Sequence, residues 1–295
     1  MRAAVILRRA LVVGLFALVS VAVVDERTAR GQTGRKTLLQ WSYGTSFEGG
    51  APLSEPLVTD RPDHTESSTT VGYGVVQLET GYTFTHDSKS DGSVRSHAFP
   101  QALLRVGVLA DWCEFRIGWS WLEERSHEFG GPVDTVSGSE DLYLGTKLAL
   151  TPQECVLPET ALIIQMTVPS GSPDVTAGEV LPGVNFVYSW EVNDSVSTGG
   201  QTQANRALDD VTGEPYLEFS QSWTVSRSLT DRLGYFTEWF VIAPDGADTA
   251  DTENYFHTGF AYLLNNNMQW DVSAGVGLND GADDYFVGTG FSVRR

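Results

Sequence analysis

Cysteine is nearly absent from this chain: Cys113 and Cys155 are the only two in 295 residues. They allow one disulfide and fall short of the ligand number and tight spacing of a zinc site. Basic residues are scarce as well, 19 Lys and Arg against 38 Asp and Glu, for a formal net charge of -19. Such an acidic surface repels a phosphate backbone, which excludes nucleic acid as a partner. Long apolar runs are missing after Val24. No later segment approaches the ~20 residues of a membrane-spanning helix, so the rest of the chain is either soluble or crosses a membrane as strands. A 3.6-residue period is missing too; what recurs is a period of two.

The N-terminus carries an address. Arg2, Arg8 and Arg9 precede an apolar or small-residue run, Ala10 to Val24, and Ala29 and Gly31 supply small residues before Gln32. A basic head, a short apolar stretch and a small-residue cut site describe a secretory signal peptide, expected over residues 1–31. Residues 32–74 then read as an N-terminal segment without strand character, and residues 75–295 as one large β domain.

Period-two alternation marks twelve candidate strands: Val75–Thr85, Phe99–Leu109, Trp112–Leu122, Asp141–Leu150, Thr160–Val168, Val184–Val192, Ser195–Ala204, Tyr216–Ser228, Leu233–Ile242, Tyr255–Leu264, Met268–Leu278 and Asp284–Val293. The connections alternate. "HDSKSDGSVRSH", "EERSHEFGGPVDTVSGSE", "PSGSPDVTAGEVLP", "NRALDDVTGEP" and "APDGADTADTEN" are long; "AD" at Ala110, "ND" at Asn193, "LTDR" and "NNN" are short. Alternation of this kind belongs to an up-and-down meander whose two rims face different compartments, and a Greek-key sandwich has no reason for it.

Charge parity points the same way. Glu114 and Arg116 oppose Phe115, Ile117, Trp119 and Trp121; Glu238 opposes Trp239 and Val241; His257 opposes Phe256 and Phe260; Asp271 opposes Trp270 and Val272. Inverting the faces would give a soluble barrel with the rings inside, but side chains fill an interior only near eight strands. Lipid outside and a polar lumen inside fit twelve strands better. The expected fold is all-β, a transmembrane antiparallel up-and-down barrel of about twelve strands in the bacterial outer membrane. Gly81, Gly107, Gly118, Gly145, Gly259, Gly275 and Gly277 fall on the inner face, where they are expected to leave lumen space.

One phrase is diagnostic. "LVTDRPDHTESSTTVGYGVVQLETGYTF" carries a TDRPDHTES box, Thr59 to Ser67, followed by a QLETGY strand signature, Gln77 to Tyr82. With "LLRVGVLADWCEFRIGWS", "EDLYLGTKLAL", "VPSGSPDVTAGEVLPGVNFVYSW" and "DDYFVGTGFSV", it resembles a bacterial family of outer-membrane transporters of the phenol meta-cleavage degradation pathway. The resemblance covers nearly all of the mature chain and implies a closed β-barrel. The chain departs from the common pattern at its end, running past Phe291 to Arg294 and Arg295 instead of finishing on an aromatic.

Several constellations invite a chemical reading. Asp60, Asp63, His64 and Glu66 could ligate a metal, but Asp60 and Asp63 bracketing Arg61 and Pro62 read better as a turn. The expectation is a structural segment tucked into the periplasmic mouth, with Arg61 pairing Glu79 or Glu114, and neither metal nor cofactor. His257, Asp271 and Ser273 share the inner parity, yet no nucleophile-elbow motif accompanies them, so the protein reads as a non-enzyme. Inward-facing Glu79, Arg105, Glu114, Arg116, Lys147, Glu218, Glu238, His257 and Asp271, joined by Asp141 and Glu191, form a mixed ladder of charge. Its members either satisfy one another or make a charged constriction that selects solutes. Cys113 and Cys155 both fall at the short-turn rim and are expected to pair. The expected function is a channel or transporter for small molecules, hydrophobic or aromatic ones included, with outer-membrane lipid and the solute as partners. The alternative is a non-conducting structural or adhesive barrel.

Overall fold

The computed structural model describes residues 37–39, 53–90 and 92–295. The expected signal peptide and much of the N-terminal segment lie outside the described residues. Thirteen strands follow in order: β1 (Val76–Ser88), β2 (Gly92–Gly107), β3 (Cys113–Glu128), β4 (Val133–Ser139), β5 (Leu142–Thr151), β6 (Glu159–Val168), β7 (Leu181–Asn193), β8 (Val196–Leu208), β9 (Pro215–Ser228), β10 (Leu233–Asp245), β11 (Glu253–Asn265), β12 (Met268–Gly277) and β13 (Tyr285–Arg294). Each pairs antiparallel with its neighbours, and β1 closes the ring on β13 from Gln77↔Arg294 to His86↔Tyr285.

Thirteen strands make twelve staves. The inner half of β3 pairs with β5 from Cys113 to Gly118, while its outer half pairs with β4 from Trp121 to His127. β4 and β5 are therefore two halves of one stave, interrupted at Glu140 and Asp141. The result is the closed twelve-stave antiparallel barrel expected from the alternation. All twelve expected strands are present, including the small, polar β8, which pairs along its whole length with β9.

The outer connections differ from expectation. "HDSKSDGSVRSH" is mostly hairpin, with β1 reaching Ser88 and β2 starting at Gly92, and "EERSHEFGGPVDTVSGSE" holds the end of β3 and all of β4. Above the bilayer both faces of a strand meet water, so the apolar half of the alternation, and with it the sequence signal, disappears.

The faces sort as charge parity requires. Leu78, Trp119, Phe186, Phe219, Phe256, Phe260 and Trp270 are exposed on the outer surface, Trp270 by 48%. Glu79, Arg105, Glu114, Lys147 and Asp271 are 0% exposed inside. An apolar exterior this extensive is unstable in water and is what a bilayer-embedded closed barrel presents, since closure satisfies every ladder hydrogen bond.

The lumen is not purely polar. Ala161, Ile163 and Val187 form one inward apolar patch on β6 and β7. Phe240, Tyr255 and Ala282, flanked by Ile242 and Phe286, form a second on the β10–β11–β13 side. The inner glycines do not hold open space either. A side chain at Gly118 or Gly145 would crowd the Tyr143 ring, one at Gly275 would meet Phe286, and one at Gly107 would overlap the Gly72 backbone. They are seats for neighbouring groups.

Candidate functional site

Residues 53–75 enter the barrel as a loop whose two ends lie at the same rim. The incoming limb is tied beside the short β11–β12 turn: Leu57 N–H donates to Asn266 O (2.7 Å) and Arg294 Nη2 to Glu55 O (2.6 Å). Midway, the His64 ring stacks on Phe240 with centroids 4.3 Å apart. The outgoing limb returns to the β2–β3 turn, where Tyr73 N–H donates to Asp111 Oδ1 (2.9 Å), and runs into β1.

This segment has no ladder of its own, so its backbone donors need other acceptors. The wall supplies them. Glu79 accepts the Asp60 N–H (3.0 Å), Glu238 accepts those of His64 and Thr65 (2.7 Å each), Gln201 that of Glu66 (2.9 Å) and Glu114 that of Val71 (2.9 Å). In return Arg105 Nη2 donates to Thr69 O (3.0 Å) and Lys147 Nζ to Ser67 O (2.9 Å). Six inward side chains of the wall thus take the role of a pairing strand. Sequence reading did not anticipate Gln201, nor Ser220, Ser222 and Glu159, which bond His64, Thr65 and Ser68. Inward parity is the available signal for Gln201, Ser220 and Ser222, and neutral polar residues on a polar face carry no mark that separates anchors from fillers; Glu159 precedes the expected strand Thr160–Val168.

The charges meet in one cluster. Arg105 Nε reaches Glu114 Oε1 (2.8 Å) and its Nη1 reaches Glu79 Oε1 (2.9 Å). Asp60, from the segment, contacts Lys147 Nζ (2.8 Å), Arg116 Nη2 (2.9 Å) and Arg105 Nη1 (3.2 Å). Glu66 adds a contact to Arg116 and one to Lys147 at 3.5 Å. Glu79, Arg105, Glu114, Arg116 and Lys147 are therefore brought together. Glu218 stands apart, opposite Asn205 towards the outer end of β9.

Arg61 pairs differently from expectation. Its guanidinium lies against Asp271 (3.4 Å), while Glu79 and Glu114 are committed to Arg105. The paired glycines Gly81 and Gly290 make this possible, because a Cβ on either would overlap the guanidinium. Pro62 and Asp63 follow at the edge of a cavity of about 360 Å3 that opens between the β7–β8 and β9–β10 turns. A second cavity of about 350 Å3 shares Asp63, Glu191, Ser197 and Ser226 with it and ends on Thr65 to Thr69. Together they form a vestibule from the short-turn rim to the internal segment.

The four residues of the metal reading do not converge: Asp60 and Glu66 face cations, and His64 faces Phe240 and Ser220. Nor do the three of the triad reading. His257 Nδ1 contacts Glu238 (3.1 Å), not Asp271, which holds Arg61.

Asp141 is no lumen charge. At the β4–β5 break it accepts bonds from Ser170 N (3.0 Å), Gly171 N (2.9 Å), Thr176 Oγ1 (2.6 Å) and Ala177 N (3.0 Å), fastening the β6–β7 loop across the interrupted stave. Burial raises its pKa, but the Thr176 hydroxyl and these amides outweigh burial and hold the carboxyl below its usual range. Asp209 clasps two outer loops, accepting from Thr249 N (2.7 Å) and Thr249 Oγ1 (2.8 Å) as well as its own loop's Val211 and Thr212. The Thr249 amide, foremost among these donors, holds it well below the carboxylate range. The expected Cys113–Cys155 disulfide is not formed. Cys113 is buried at the start of β3, whereas Cys155 is exposed in the β5–β6 turn with φ 53°, and both are free.

A closed barrel with an apolar exterior, a charged lumen and short turns on one rim defines an outer-membrane β-barrel. The chain belongs to the family described as "Putative MetA-pathway of phenol degradation", whose sequence profile matches residues 59–294. No curated protein matches it. Among solved structures, an outer membrane channel from Pseudomonas putida F1 is similar at 14% identity and a TM-score of 0.58, over 78% of this chain and 98% of that one. The translocator domain of the autotransporter NalP from Neisseria meningitidis (11% identity, TM-score 0.49, 78% and 90% covered) superposes more loosely. So does the NanC porin (10%, 0.44, 74% and 98%). Identities this low speak to the fold alone.

Proposed function

We propose that the protein is an outer-membrane channel for small molecules, hydrophobic or aromatic ones included, whose passage is controlled by the segment at residues 53–75. The observation that carries this reading is the vestibule, which leads from the short-turn rim to Arg61, Asp63 and Thr65–Thr69 and ends on that segment. A polar, water-accessible entrance has no structural purpose in an inert barrel. The segment behind it is bonded mainly by side chains, which exchange partners more readily than a strand ladder does. The aromatic group formed by Phe240, Tyr255 and Phe286 lies beyond it and offers flat apolar contacts to a solute.

The lumen contents also favour the second reading, a non-conducting barrel, because the internal segment occupies much of the cross-section. Single-channel recording in planar bilayers separates the two. A channel gives discrete conductance steps, and phenol added at millimolar concentration interrupts the current more often than glycerol does. A folded protein that inserts without conductance supports the structural or adhesive role.

A further inference from the structure

The cluster around Asp60 is unbalanced without the internal segment. Among the described residues the wall contributes three cations, Arg105, Arg116 and Lys147, but only two carboxylates in contact with them, Glu79 and Glu114. Arg105 lies directly opposite Arg116 across β2–β3, and Lys147 opposite Glu114 across β3–β5. The three cationic side chains are no more than 1% exposed. A wall that sets two guanidiniums and an ammonium around one point, in a low-dielectric interior, leaves an unfilled demand for negative charge. Asp60 fills it, reaching all three cations with one carboxylate at 2.8 to 3.2 Å.

An apolar surface adjoins the cluster. Lys147 is paired across β5–β6 with Ile163, and Ile163, Ala161 and Val187 are 0% exposed on the same inner face. The segment runs along the edge of this patch, with Ser68 bonded to Glu159 and Ser189.

We propose that Arg105, Arg116 and Lys147 form a seat for a small molecule bearing a carboxylate on a short apolar body, and that Asp60 occupies the seat as an internal mimic of that ligand. This names the solute class for the channel reading and rests on it. The solute's carboxylate takes the place of Asp60 on the cations, its body lies on the Ile163 patch, and the displaced segment opens the path. A neutral aromatic molecule of the same size makes no claim on the cations and does not compete. The acidic outer loops oppose an anion's approach at low salt, but at 0.15 M the Debye length of about 8 Å screens most of that field.

The test uses the full chain carrying Asp60→Ala, folded in detergent, with the thermal midpoint read from the loss of the fast-migrating form on unboiled gels. The variant is expected to melt below the wild type. Millimolar benzoate is expected to restore at least half of the lost midpoint, saturably, whereas benzyl alcohol, or chloride at matched ionic strength, restores none. Adding Arg116→Gln is expected to abolish the benzoate effect. No recovery with benzoate, or equal recovery with chloride, overturns the seat. Where Asp60→Ala fails to fold, Asp60→Asn keeps the side-chain shape, loses the charge and is read in the same way. Because the readout is binding, an insulating barrel that shows the benzoate effect sinks the channel reading and leaves the seat. A conducting one without the effect does the reverse.

Discussion

Asp60 Oδ2 lies 2.9 Å from Arg116 Nη2, joining the TDRPDHTES box to the third strand of the wall with both side chains almost wholly buried. Two charges taken out of water attract strongly but have each lost their hydration, and the balance depends on every remaining donor finding an acceptor. Here Lys147 and Arg105 share the same carboxylate. Removing it by Asp60→Ala takes the shared carboxylate from all three cations and leaves Arg105 to Glu79 and Glu114, and Arg116 and Lys147 to Glu66. The expected loss is about 3–5 kcal/mol, the usual consequence of breaking a buried pair from one side. Urea unfolding in detergent measures it. With Arg116→Gln added, the loss is expected to be less than the sum of the two single changes, since both report one interaction.

Gly81 and Gly290 hold Arg61 flat against the wall. Gly81→Leu is expected to push the guanidinium off Asp271, loosen the incoming limb and raise the conductance. Gly234→Ala is the control, because the nearest atom to a Cβ there is 3.8 Å away. An unchanged conductance in Gly81→Leu would show that Arg61 has no part in holding the segment.

The apolar outer surface near the middle of β11 carries Phe260, 43% exposed. Phe260→Arg is expected to destabilise the folded barrel by about 2–4 kcal/mol in bilayers, the depth-dependent penalty of a midplane charge. Trp119→Phe on the same surface keeps an apolar ring and is expected to cost little. Folding titrations into lipid vesicles give both numbers; a harmless Phe260→Arg would mean the faces are inverted.

The Asp209 clasp sets a pH dependence for the outer loops. Its carboxyl is held below the ordinary range by Thr249, so the stabilisation is complete above the unfolded value near 4 and is lost only as pH falls through the depressed folded value. Amide exchange in residues 246–252 is expected to stay flat, after correction for intrinsic rate, from pH 7 to about 5 and to rise only in stronger acid. Asp209→Asn is expected to raise it across the whole range.

The barrel was legible because lipid and water enforce a period of two wherever a strand crosses the bilayer. Trp119 beside Glu114 and Arg116 is enough to orient β3. Where both faces are wet, as in "HDSKSDGSVRSH", that contrast vanishes and the pattern gives a loop where the chain forms strand. The charged wall residues were likewise visible one by one, but their partners were not. Parity offers Arg61 any lumen carboxylate, Glu79 or Glu114 among them, whereas the close approach at Gly81 and Gly290 directs it to Asp271 on β12. The anchors Gln201 and Ser220 carry no charge to announce them. The disulfide is absent for a similar reason, since sharing a rim does not bring two thiols together: Cys113 is buried at the start of β3 and Cys155 exposed in the β5–β6 turn.

Selective conduction by a lumen that the internal segment narrows is the central claim, and reversal potentials in a KCl gradient across planar bilayers test it most directly. The wild type is expected to conduct in small steps with a preference for cations that fades as ionic strength rises, because Asp60 and Glu66 leave the lumen cluster with a net negative charge and the outer loops are acidic. Asp60→Asn combined with Glu66→Gln is expected to enlarge the steps and move the reversal potential toward anions, while Glu114→Gln and Glu238→Gln shift selectivity and Trp119→Phe does not. A wild-type barrel that inserts without current, or a reversal potential indifferent to Asp60, Glu66, Glu114 and Glu238, would contradict the account.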